Sequence, residues 1–106
     1  MPISIKSVNQ LEMAKTPIAM EVDASSPELR SWVADYPKRP DKGIDLFEVR
    51  SFELKRDLVD KYFSQADVLN SRNQKVNTLD EVEDVLKRWG FESDGLVPPW
   101  RCDYPL

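Results

Sequence analysis

The chain reads as a single α+β domain, with about three amphipathic helices packed on a small, mainly antiparallel sheet and an extended proline-rich tail. Three observations lead there. Stretches of alternating apolar and polar residues, the period of half-buried strands, are interspersed with stretches of helical period. The 106 residues are 41% hydrophobic, enough for one core and short for two. Three Trp, four Phe and three Tyr counter the low mean hydropathy of −0.53 and the 32% of charged residues, so the chain should fold.

Taken in order, Ile3 and Ile5 alternate with Ser4 and Lys6 and predict a short first strand. A polar stretch follows through Asn9-Gln10 and Lys15-Thr16. Pro17 then opens a second alternating run, with Ile18, Met20 and Val22 on one face and Glu21 and Asp23 on the other. Ser25-Ser26-Pro27-Glu28 has the form of a capping box with proline in the first turn, and Leu29, Trp32, Val33 and Tyr36 follow at helical spacing. A helix is expected there, stopped by Pro37, with the charged loop Lys38 to Gly43 after it.

Between Ile44 and Phe52 the apolar residues change parity from Leu46 to Phe47, which predicts a strand with a bulge. Leu54, Leu58, Val59, Tyr62 and Phe63 then recur as one face of a second helix. Ala66 to Asn77 is mostly polar and suggests a turn or weak hairpin. Thr78 and Glu81 form another capping box, opening a helix to Trp89 with Gly90 as its left-handed terminator. Leu79, Val82, Val85, Leu86 and Trp89 make its apolar stripe. The tail, residues 95–106, is too rich in proline for a helix and too apolar to float free, so it should lie over the body.

Much catalytic chemistry is excluded by composition. There is no histidine, hence no Ser-His-Asp or Cys-His pairing and no zinc site of ordinary composition. The three glycines form no dinucleotide or phosphate-binding loop, and no calcium loop is visible, so no cofactor or metal is expected. Cys102, the single cysteine, lies beside Asp103, which raises its pKa, and it reads as a packing residue. A carboxylate-dependent enzyme remains the third reading.

The net charge of −4 opposes direct binding to nucleic acid, whose phosphates need clustered cations. No apolar stretch reaches the roughly 18 to 20 residues of a membrane span, no secretory leader is visible, and one cysteine cannot form an internal disulfide. A cytoplasmic binding protein is expected. Its candidate contact residues are Asp80, Glu81 and Asp84 on the last helix, Glu92 and Asp94 beyond it, and Trp100 in the tail. The acids also suit the positive end of the helix dipole, and Trp100 can be either tucked in or offered as an anchor.

In size, acidity, the segment Asp80-Glu81-Val82-Glu83-Asp84 and the tail Cys102-Asp103-Tyr104-Pro105-Leu106, the chain resembles the small immunity proteins with which bacteria neutralise nuclease toxins, including those of contact-dependent growth inhibition. The resemblance implies an inhibitor whose carboxylates occlude the basic active site of a cognate toxin. The alternative is a cytosolic adaptor or accessory subunit, phage-encoded or part of a larger assembly, that docks through its apolar tail.

Overall fold

The computed structural model describes residues 5–59, 61 and 63–105. Four strands, β1 (Ile18–Val22), β2 (Leu29–Tyr36), β3 (Phe47–Lys55) and β4 (Leu69–Val76), form one antiparallel sheet in sequence order. Two α-helices flank it in sequence, α1 (Ile5–Glu12) and α2 (Leu79–Arg88). The architecture is α+β as expected, with two α-helices among the described residues rather than about three.

The strands follow from their neighbours. β2 is central, paired to β1 along one side and β3 along the other, and its two faces point into two different cores. Val33 joins Ile18, Met20, Val49, Phe47 and Val76 beneath the helices, where Leu11 of α1 and Val82, Val85 and Leu86 of α2 close the layer. Trp32 joins Phe52 and Leu54 on the opposite face, under Leu58, Val59, Phe63 and Val68 of the β3–β4 connection and Cys102 and Tyr104 of the tail. A strand covered on both sides carries adjacent apolar residues, and Trp32-Val33 is such a pair.

That double burial corrects two expectations. The helix expected from Ser25 through Tyr36 is instead strand β2: the Leu29, Trp32, Val33, Tyr36 spacing arises from two buried faces, not one helical stripe. Ser25 caps no helix; its backbone N–H and its hydroxyl both donate to the Glu53 carboxylate, at 2.6 and 2.7 Å. The expected helix from Leu54 to Phe63 also dissolves. Leu54 lies within β3, which ends at Lys55, and among the described residues up to Phe63 only a 3-10 turn, Arg56–Leu58, follows; Asp60 and Tyr62 lie outside the described residues.

Three further expectations change. The strand assigned to Ile3–Lys6 lies partly outside the described residues, and from Ile5 onward the chain is α1, whose Ser7 and Leu11 face inward. Ala66 to Asn77 contains the full strand β4, unreadable as such because six consecutive residues, Asn70 to Lys75, are exposed. The irregularity of β3 falls between Ser51 and Glu53 in its pairing with β4, not at Leu46–Phe47. β1 and α2 occur as expected, with Thr78 Oγ1 accepting the Glu81 N–H at 3.2 Å and Gly90 at φ 86° turning the chain after the helix.

After α2 the chain returns to the sheet. Leu96 enters the helix-side core, and Val97 exchanges two 2.8 Å backbone hydrogen bonds with Ala19 along the outer edge of β1. A 3-10 turn at Pro99–Arg101 interrupts the tail, so it is not one extended segment. The Trp32 indole N–H donates to the Cys102 carbonyl at 2.8 Å, and the Tyr36 and Tyr104 hydroxyls are hydrogen-bonded to each other.

Candidate functional site

The expected contact residues divide between three places. α2 turns Val82, Val85 and Leu86 inward, which leaves Asp80, Asp84, Lys87 and Arg88 outward. The left-handed Gly90 then reverses the chain, and the Phe91 N–H donates back to the Leu86 carbonyl at 2.8 Å. Residues 92 and 93 therefore run back beside the helix, where the Ser93 hydroxyl donates to Glu83 at 3.2 Å. Glu92 thereby comes to line a single hollow of about 300 Å³ with Asp80, Glu83 and Asp84; among the described residues Lys87 is its only cation. Acids eight residues or more apart in sequence become one negative surface.

Glu81 is not free to join it. Its carboxylate accepts the Asn77 backbone N–H at 3.3 Å while its own N–H is held by Thr78, so it serves the reciprocal cap. Asp94 faces a different hollow, shared with Met13, Val97, Pro98 and Arg101. Trp100 is 70% exposed and projects from the tail. Of the six residues singled out from sequence, the fold thus gathers Asp80, Asp84 and Glu92, commits Glu81 to the helix, and sets Asp94 and Trp100 apart.

Two arrangements escaped the sequence. The first is a polar groove of about 710 Å³ on the helix-bearing face of the sheet, beyond the end of the apolar layer. Ser31, Ser51 and Glu53 line its floor, with Arg72 and Trp89 on one wall. Glu53 is only 6% exposed, yet it stays ionised. Burial alone would raise its pKa, but the two bonds from Ser25 and one from the Asn70 side-chain amide outweigh that effect and hold it below the usual carboxylate value. Asn70 reaches it from a left-handed backbone, φ 50°, next to the irregularity in β3–β4 pairing. The Arg72 guanidinium lies 4.5 Å from the Trp89 ring centroid and 5.9 Å from that of Phe91. A signal existed: once Phe47 and Val49 are placed on one face of β3, the same alternation brings Ser51 and Glu53 onto it.

The second is Asp35. It sits on β2 between Ile18 and Val49, wholly buried, and neither carboxylate oxygen has a hydrogen-bond partner among the described residues. Desolvation pushes its pKa up to about 8, so at neutral pH it is mostly the uncharged acid. Nothing in the local sequence Val33-Ala34-Asp35-Tyr36 distinguishes it from a surface aspartate.

Cys102 is half-buried against the Trp32 core, and its thiol pKa is raised, first by burial and further by Asp103. Among the described residues no cluster of His, Cys, Asp or Glu has the arrangement of a metal site, and no helix is long and apolar enough to cross a membrane. Compared with protein-family models, curated proteins and solved structures, the chain matches none.

Proposed function

We propose that this chain is a non-catalytic binding protein of the inhibitor type, an immunity-like protein that presents an acidic surface to a basic protein partner, in the simplest case a toxin domain. One observation carries the reading: the Gly90 reversal brings Glu92 alongside Asp80, Glu83 and Asp84 around one hollow with a single lysine. Exposed carboxylates grouped in this way attract a cationic surface over a range of about 8 Å at physiological ionic strength and accelerate its capture. The docking residues are Asp80, Asp84 and Glu92. The protein acts in the cytoplasm, needs no cofactor, and contacts neither nucleic acid nor membrane.

The adaptor reading draws on a different observation. Trp100 is 70% exposed and Met13 80%, and an exposed tryptophan on an otherwise docked tail is a natural anchor for a second protein. The two readings separate by mutation. A partner captured from the native host and identified by mass spectrometry is titrated against wild type, the Asp80→Asn/Asp84→Asn/Glu92→Gln variant, and Trp100→Ala. The inhibitor reading expects slower association and a flatter salt dependence in the first variant and little change in the second. An on-rate indifferent to salt in the wild type removes the charge-steered inhibitor, and a loss confined to Trp100→Ala favours the adaptor.

A further inference from the structure

The two edges of the sheet are treated differently. The outer edge of β1 is covered, since Val97 pairs with Ala19 in both directions. The outer edge of β4 is not. Among the described residues no backbone hydrogen bond leads outward from β4, an eight-residue strand without proline, and Asn70 to Lys75 are all exposed. Such an edge offers a row of unpaired donors and acceptors to another extended chain.

The hollows beside this edge indicate what that chain would carry. On the helix-bearing face lies the groove with Ser51, Asn70, Arg72 and Trp89; on the opposite face lies a smaller hollow, about 210 Å³, with Arg50, Phe52, Val68 and Asn73. Both open at the same part of β4. Successive side chains of an added strand point to opposite faces, so alternate residues would reach the two hollows in turn. The helix-side groove holds Asp23 and the ionised Glu53 beside Arg72, whereas the opposite hollow is lined by Arg50 and Arg72 and by no acid among the described residues, so acidic residues suit the positions of an added strand that face the second hollow and apolar ones those that face Trp89. Among the described residues Arg72, stacked on Trp89, makes no ion pair, and Arg50, which lies 5.3 Å from the Tyr36 ring centroid, makes only a 3.4 Å one with Glu48. β4 itself carries Arg72 and Lys75 and no acid.

We propose that the β4 edge is a docking site for an extended, acidic segment of a protein partner, which adds to the sheet as a fifth strand. The cations on β4 discourage pairing with a second copy of the same strand and favour a strand of opposite charge. This surface, with Arg50, Arg72 and Lys75 along the edge, shares no residue with the acidic hollow, so it stands or falls independently of the inhibitor reading.

The test uses the full chain and four synthetic, end-capped octapeptides: one alternating glutamate with valine, its lysine counterpart, and two versions of the glutamate peptide, N-methylated at the odd or at the even residues. Binding is followed by amide NMR shifts and hydrogen exchange. The acidic peptide is expected to shift and protect amides of residues 69–76, the lysine peptide to leave them unchanged, and N-methylation on the pairing side to abolish the effect. Arg72→Glu, checked by circular dichroism for an unchanged fold, is expected to weaken the acidic peptide by about fivefold, the loss of one partly exposed charge pair. Equal binding of the lysine peptide, survival of binding in both N-methylated peptides, or no response in β4 at millimolar acidic peptide each overturns the proposal.

Discussion

Asp35 gives this domain an unusual dependence on pH. In the unfolded chain the carboxyl ionises near its ordinary value of 3.8, whereas in the fold, deprived of water and of hydrogen-bond partners, it holds its proton to about 8. Between those values folding takes up a proton, so stability is fully present below about pH 4, declines as pH rises, and levels off above about 8. At about 1.4 kcal/mol per pH unit, the decline amounts to on the order of 5 kcal/mol across the window, comparable to the whole stability of a small domain. Glu21 and Glu53 act in the opposite sense. Their folded pKa values are lowered from 4.5, so their contribution is lost as pH falls below that value, under the pH 5 to 8 range in which Asp35 is assayed. Asp35→Asn keeps the shape and polarity of the uncharged acid but cannot ionise. Urea unfolding of both proteins at intervals from pH 5 to 8 is expected to give an advantage for Asp35→Asn that is smallest at pH 5 and grows by roughly 1.4 kcal/mol per pH unit toward the alkaline end. A difference between the two that stays flat across this range would falsify the assignment of Asp35 as a buried, unpaired acid.

Other consequences are more local. Trp89→Ala should cost about 2 to 3 kcal/mol, less than a fully buried tryptophan, because Trp89 is half-buried and covered on one side by Arg72; a thermal midpoint equal to wild type would contradict this packing. Thr78→Ala removes the acceptor for the Glu81 N–H and should destabilise the protein by about 1 kcal/mol in chemical denaturation, with Thr78→Ser largely restoring it. Trp32→Phe keeps most of the ring packing but deletes the 2.8 Å bond to the Cys102 carbonyl. Its expected signature is faster alkylation of Cys102 and earlier proteolysis near the tail, and unchanged rates of both would show that this bond does not hold the tail.

Where one physical preference dominates a segment, the sequence alone determined the outcome. α2 is such a case: a threonine cap, acids in its first turn, basic residues in its last and a left-handed glycine beyond it act locally and agree with its apolar stripe. β1 is another, since Ile18, Met20 and Val22 bury one face beside the exposed Glu21. The α+β class followed from both. β2 could not be assigned locally, because the neighbour relations that bury Trp32 on one side and Val33 on the other belong to the assembled sheet, and adjacent buried residues imitate a helical stripe. β4 failed for the converse reason: its exposed edge side chains carry no hydrophobic period at all. The sites divide along the same line. The acidity of Asp80 and Asp84 is a property of sequence, but their meeting with Glu92 depends on the Gly90 reversal, and the burial of Asp35 and the Glu53–Arg72–Trp89 groove depend on which strands lie side by side. Charge and capping act within a few residues and can be read along the chain, whereas desolvation and convergence are set by contacts between segments that only the tertiary structure brings together.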